Sequence, residues 1–238
     1  MFYACYDSAS RGGDFEEIFQ KIKNRYNDII SGLGLDMSLE DDFEHIRLNF
    51  IGRAGRDYAA SRGEYLNGKI VAKLLGFAFI DAADVIFFDE SGKYDAKRTM
   101  PILRERLSYT EYAVIPGFYG SMPNDTIRTF SRGGSDITGS IVSAAADADL
   151  YENWTDVSGF LIADPRVVDN PQVMKTVTYR ELRELSYMGA TVIHEDAIFP
   201  VMQKKIPIRI KNTNSPEDAG TLILADTDEP AENTVTGV

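Results

Sequence analysis

The stretch that decides the fold is Thr129-Phe130-Ser131-Arg132-Gly133-Gly134-Ser135-Asp136. A strand-like approach over 127–130 runs into a glycine pair, and a small-residue helix over 135–147 leaves it. Strand, glycine turn and helix start together aim backbone N–H groups at an anion. Gly133 and Gly134 permit positive φ and close approach of a ligand. Arg132 stands at the rim, where a guanidinium fork suits bidentate capture of a carboxylate or phosphate. Asp136 falls in the first helical turn. It cannot bind a phosphate directly, but it can orient a lysine or hold Mg²⁺ through water. Taken alone, the octet reads equally as a tight turn with an N-capped helix and an internal Arg–Asp ion pair.

Composition narrows the partners. The 238 residues are 44% hydrophobic and 26% charged, as in an ordinary globular protein. A net charge of −12 argues against nucleic acid or an anionic membrane surface as the main partner, though a local pocket can still be basic. Cys5 is the only cysteine, which excludes an intrachain disulfide and a cysteine metal site. No apolar run reaches membrane-spanning length and no signal peptide is visible, so the expected location is cytoplasmic.

Outward from the octet, periodicity alternates between helix and strand. Phe15, Ile18, Phe19, Ile22, Tyr26 and Ile29 recur at helical spacing behind Asp14, an expected N-cap. A second helix is expected over 38–48, with Asp41, Asp42 and Glu44 as a solvated face, and a third over 57–75. His45 lacks any companion spacing for a metal. Short strands are expected over 77–81 and 84–89, a helix over 96–107 and a strand over 112–116 that ends in the loop Gly117-Phe118-Tyr119-Gly120. Beyond the octet come a strand over 150–154, helices over 178–187 and 193–202, and strands over 206–211 and 221–224. The pattern is that of an α/β protein, a three-layer sandwich with a central, mostly parallel sheet and helices on both faces. Ligands of such sheets bind at strand C-terminal ends.

Two groups of residues could carry chemistry besides the octet. Glu64 follows Gly63 inside the third helix, where glycine costs about 1 kcal/mol against alanine. Close packing or backbone approach to a ligand must offset that cost, and a carboxylate there could pair with a substrate ammonium. Thr155 and Asp156 end a strand, with Gly159 and Asp164-Pro165-Arg166 following, a place to grip adenine, ribose and phosphate. The bland alternatives are a helix-surface glutamate and a polar loop with a proline turn. Trp154 is expected in the core. His194 has no hydroxyl nucleophile motif beside it, which rules out a hydrolase triad.

In combination, Ser61-Arg62-Gly63-Glu64, the Arg132–Asp136 loop, Trp154-Thr155-Asp156-Val157-Ser158-Gly159 and Ala163-Asp164-Pro165-Arg166 resemble the catalytic domain of bacterial aspartate kinases, within the amino-acid kinase superfamily. The resemblance runs from near Met1 to Leu224. It implies that Arg132 binds the α-carboxylate of L-aspartate with Thr129, Gly133, Gly134 and Ser135 around it, that Glu64 receives the amino group, and that Asp136 organises the catalytic lysine. It assigns ATP to Thr155, Asp156, Asp164 and Arg166, with Lys211 and Asn212 in the segment that closes the nucleotide side. Leu161 stands where many relatives carry a nucleotide-contacting tyrosine, a departure from the pattern. The implied reaction is phosphoryl transfer from MgATP to the β-carboxylate of L-aspartate, in a homo-oligomeric full-length protein.

Two further departures stand out. The family's first strand carries Lys-Phe-Gly-Gly-Ser, and nothing before Cys5 matches it; Gly189-Ala190 is followed by Thr191 where a lysine is usual. The expectation is a catalytic domain over 1–225, with a helical subdomain at about 13–56 and a linker at 226–238 toward absent regulatory domains, truncated at both ends and inactive alone. The rivals are another amino-acid kinase, acting on glutamate or N-acetylglutamate, and a non-catalytic ligand-binding or assembly fragment.

Overall fold

The structure is a computed structural model that describes residues 1–163, 167–187, 193 and 195–226. It divides into two compact units, Met1–Gly134 and Ser135–Val238, and the division falls inside the octet.

The first unit opens with four helices: α1 (Phe2–Ser10), α2 (Glu16–Gly32), α3 (Glu40–Ile51) and α4 (Arg56–Leu75). Their apolar stripes meet in a core that includes Phe15, Phe19, Phe43, Phe50, Tyr58 and Leu66. Phe50 is its hub, edge-on to Phe15, Phe19 and Tyr58 at 6.0–6.2 Å between ring centres. Such pairs add about 0.5–1.5 kcal/mol each beyond area burial. Cys5 is buried at this core's edge, and desolvation pushes its thiol up to about 11, which makes it inert. The expected caps act one residue early: Asp14 Oδ1 accepts from the Glu16 N–H and Ser38 Oγ from that of Glu40.

Short strands follow: β1 (Ala78–Phe79), β2 (Ala113–Val114), β3 (Tyr119–Ser121) and β4 (Ile127–Thr129), with the helices α5 (Ala82–Val85) and α6 (Ala96–Ser108) between β1 and β2. β1 and β2 pair in parallel, β3 and β4 antiparallel. The strand expected over 84–89 is replaced by α5 and by isolated bridges at Phe87 and Phe88. The physical reason is Asp81: its carboxylate accepts the Ala83 N–H at 3.0 Å and caps a helix where a strand would have to run on.

The second unit holds α7 (Gly134–Ala145) and a four-stranded sheet of β5 (Tyr151–Thr155), β6 (Thr176–Thr178), β7 (Ile208–Asn212) and β8 (Thr221–Leu224), with α8 (Tyr179–Tyr187) and α9 (Glu195–Gln203) between β6 and β7. The strand order is β5-β7-β8-β6; β5–β7 and β6–β8 are parallel and β7–β8 antiparallel, so this sheet is mixed. Its core stripe joins Tyr151, Val177, Ile208, Ile210 and Ile223 to Leu182 of α8 and Val201 of α9. Thr178 and Glu181 form a reciprocal capping box at the start of α8. In the β5–β7 register Thr155 lies opposite Asn212, so the loops after both strands leave from the same end.

Candidate functional site

In the first unit the octet is delivered by β4, whose register sets Thr129 opposite Tyr119. The backbone N–H of Phe130 then bonds the carbonyl of Phe118 at 2.9 Å. Phe118 itself adopts φ +64, a conformation bulky residues rarely take. Gly134 is glycine because a Cβ there would sit 2.6 Å from the Cβ of Phe118. Gly133 has φ +54. Between these fixed points Ser131, Arg132 and Gly133 are exposed. Arg132 forms no ion pair among the described residues, so its guanidinium is available to an anion.

Glu64 is exposed on α4. The Tyr26 phenol donates to the carbonyl of Gly63 at 3.1 Å. Burial, and after it the Glu64 charge, push that phenol up to about 12. A Cβ on Gly63 would meet the Phe2 ring at 3.8 Å and Tyr26 Oη at 4.0 Å, ordinary contacts. Packing therefore does not demand glycine there.

The residue before Gly63 was invisible as a site feature in the motif. Arg62 is buried, 5% exposed, with two guanidinium nitrogens on Ser61 Oγ. Its carbon lies 4.5 Å from the ring centre of Tyr58, 4.6 Å from Tyr65 and 5.4 Å from Tyr119. The Tyr119 phenol donates to Asp81 at 2.7 Å. Asp42, expected on a solvated face, instead accepts from Tyr65 and pairs with Lys69 at 2.6 Å.

In the second unit Ser135 is exposed and Asp136 half-buried. Asp136 Oδ1 accepts from the amide of Asn153 at 2.9 Å, the Asn153 amide also donates to Tyr151 Oη at 3.0 Å, and Tyr151 donates back to the Asp136 carbonyl at 3.3 Å. Burial pushes the Tyr151 phenol up to about 12, against the relief that Asn153 gives, so it stays a neutral donor. Neither partner of Asp136 was expected. The one signal was a polar residue in phase with Tyr151 on an alternating strand.

At the far end of β5 the Thr155 carbonyl accepts from both the backbone N–H and the hydroxyl of Thr213, at 2.8 and 2.9 Å. Asp156 is exposed. Asn212, 9% exposed, donates to Ser158 Oγ at 2.9 Å and accepts the Asn214 N–H. Lys211 is held by the carbonyls of Pro216 and Asp218. Leu161 is 37% exposed and bridges to Val173. Asp164, Arg166, Gly189, Ala190, Thr191 and His194 lie outside the described residues, as do residues 227–238. Trp154 corrects the expectation of a core residue: it is 45% exposed, because Tyr151 and Asn153 take the inward positions of β5 and leave Glu152 and Trp154 outward. Among the described residues no three His, Cys, Asp or Glu side chains are grouped to hold a metal, and no helix is long and apolar enough to cross a membrane.

Residues 15–212 match the profile of the amino acid kinase family. The chain belongs to that family. This amino acid kinase is 32% identical over 245 residues to aspartokinase 3 of Bacillus subtilis (strain 168), covering 96% of this chain and 53% of that protein. It superposes on the crystal structure of Clostridium acetobutylicum aspartate kinase with a TM-score of 0.90 and 54% identity, over 99% of this chain and 54% of that one. Escherichia coli aspartokinase III, solved in complex with aspartate and ADP, shares the fold at a TM-score of 0.76 and 24% identity, over 96% of this chain and 57% of that one. The α/β class is that of these structures. The chain spans about half the length of these relatives.

Proposed function

We propose that the chain is the part of an aspartate kinase that binds both substrates for phosphoryl transfer from ATP to the β-carboxylate of L-aspartate. One observation carries this reading: the 54% identity and TM-score of 0.90 to an aspartate kinase hold over 99% of the chain. The two units divide the labour. The first carries the acceptor-side residues, with Arg132, which forms no ion pair among the described residues, for the α-carboxylate and Glu64 for the ammonium. The second carries Asp136 and the nucleotide-side residues Thr155, Asp156 and Asn212, with Asp164 and Arg166 following.

The nucleophile belongs to the substrate, so the protein's work is positioning and charge neutralisation. That agrees with a site of glycine turns, arginines and carboxylates. The residues present fit Mg²⁺ as a companion of the nucleotide phosphates rather than of a protein cage, since no three-ligand group occurs among the described residues. Asp136 would hold it through water, and the ion's charge would offset that on the transferred group. Lys211, held by the carbonyls of Pro216 and Asp218, belongs to the same nucleotide-side turn.

Calorimetric titration of the chain with L-aspartate, L-glutamate and N-acetyl-L-glutamate tests the acceptor. L-Aspartate should bind best. Arg132→Ala, which removes a charge-assisted contact of about 1.5–3 kcal/mol, should weaken it by about ten- to a hundredfold. Glu64→Gln should weaken the free amino acids and leave N-acetylglutamate unaffected. Preference for N-acetylglutamate would assign another amino-acid kinase; no binding of any acid would leave the ligand-free assembly reading. Trapping acyl phosphate with hydroxylamine reports turnover on the same samples.

A further inference from the structure

Position 153 should be apolar. It lies on the inward stripe of β5 with Tyr151, directly opposite fully buried Ile210 of β7. An amide buried without partners there would cost about 1–3 kcal/mol. Asn153 is 8% exposed and uses both of its N–H groups, one on Asp136 Oδ1 at 2.9 Å and one on Tyr151 Oη at 3.0 Å. The phenol closes the ring by donating to the Asp136 carbonyl. The helix is cut to fit this arrangement: a Cβ on Gly139, one turn on in α7, would lie 2.5 Å from Tyr151 Oη. Strand, helix and side chains are thus built around one carboxylate oxygen. The second oxygen of Asp136 has no hydrogen bond among the described residues.

We propose that Asn153 is a positioning residue for the phosphoryl transfer: it fixes one oxygen of Asp136 so that the other is held ready for a cation, either the Mg²⁺ of a bound nucleotide or an ammonium group. This rests on the reading of Asp136 as a site residue. Asn153 touches neither substrate; it acts through Asp136. An apolar side chain would pack against Ile210 equally well, so the amide serves the carboxylate rather than the core.

The test is ATP affinity by calorimetry at pH 5.5 and pH 8, with Mg²⁺ and with EDTA, for the parent chain and for Asn153→Asp, Asn153→Leu and Asp136→Asn, each checked by thermal melting without ligand. The titratable groups facing position 153 are Asp136 on α7 and Tyr151 on β5, and Tyr151 stays neutral throughout this range. In Asn153→Asp two carboxylates face each other, which raises the pKa of the pair. At pH 8 their repulsion should weaken MgATP by about tenfold relative to the parent. At pH 5.5 a shared proton replaces the lost N–H, and affinity should return to within about threefold of the parent. A purely structural role would give no such recovery. Asn153→Leu should be weak at both pH values. Loss of the effect in EDTA identifies the cation as Mg²⁺, and persistence identifies an ammonium. Asn153→Asp matching the parent at pH 8 while Asp136→Asn is weakened would overturn the proposal and leave the site reading intact. Parent-like affinity in all variants, or no ATP binding by the parent, would overturn the Asp136 reading and the proposal with it. Should Asn153→Leu fail to fold, the pH recovery of Asn153→Asp still decides.

Discussion

Asp57, in the first turn of α4, accepts the backbone N–H of Thr129 at 3.2 Å. The same carboxylate oxygen lies 3.7 Å from the Arg128 guanidinium. One side chain therefore ties the helix that carries Glu64 to the strand that delivers Arg132. Asp57→Ala should lower the unfolding free energy by about 1–2 kcal/mol, the contact being about one-third solvated. It should also weaken L-aspartate as the loop after Thr129 loosens. Urea unfolding followed by calorimetry checks both, and an unchanged midpoint would refute the tie.

Gly63 and Gly68 lie on the same helix and should respond oppositely to alanine. A Cβ on Gly63 finds ordinary contacts, whereas one on Gly68 would lie 3.1 Å from the Phe79 ring and 3.5 Å from Pro116. Gly63→Ala should stabilise the chain by up to about 1 kcal/mol through helix propensity and at the same time weaken L-aspartate. Gly68→Ala should destabilise by about 1–3 kcal/mol through overpacking. Thermal melts of the two variants give the comparison, and a destabilised Gly63→Ala would mean that packing, not ligand approach, selected the glycine.

Gly134→Ala forces a Cβ to within 2.9 Å of the Phe118 Cα and 3.1 Å of the Phe130 Cβ, both tied to the backbone. The loop must shift, at a cost of about 1–3 kcal/mol. Arg132→Ala, by contrast, removes an exposed side chain and should leave the melting temperature within error. Measuring both separates damage to the loop from loss of its ligand contact.

Seven tyrosines, Tyr26, Tyr58, Tyr65, Tyr94, Tyr119, Tyr151 and Tyr179, are raised above the ordinary phenol value, with burial the leading cause in each. For Tyr119 the Asp81 charge adds to burial. A phenol raised in the folded state keeps its proton more tightly than in the unfolded chain. The stability this confers is complete below about pH 10 and falls as pH rises through about 12. Absorbance titration should therefore show these seven phenols ionising only together with cooperative unfolding. A smooth titration of the seven near pH 10, ahead of unfolding, would contradict this.

Much of this was readable from local pattern. The helices α2, α4 and α6 announce themselves through 3.6-residue periodicity and lie within a residue or two of expectation, because their stripes are long. Of the octet's glycines, Gly133 takes the positive φ expected of it, whereas Gly134 is fixed by the packing of Phe118, a contact no local pattern announces. What failed was set by distant partners or by single capping bonds. Asp81 converted an apolar run into a helix with one hydrogen bond. β6 is three residues long, too short for any alternation to register. Arg62 was hidden because its cage draws Tyr119 from 57 positions away. Asn153 meets Asp136 from 17 positions away, a pairing no local window contains.

Trp154 is the only tryptophan in the chain, and β5 turns it outward one residue before Thr155, with the Lys211 ammonium 5.4 Å from its ring centre. The protein thus carries its own optical reporter at the threshold of the loops proposed to hold the nucleotide. Its emission has a single origin, so a change on adding nucleotide can be traced to one strand end without label or mutation.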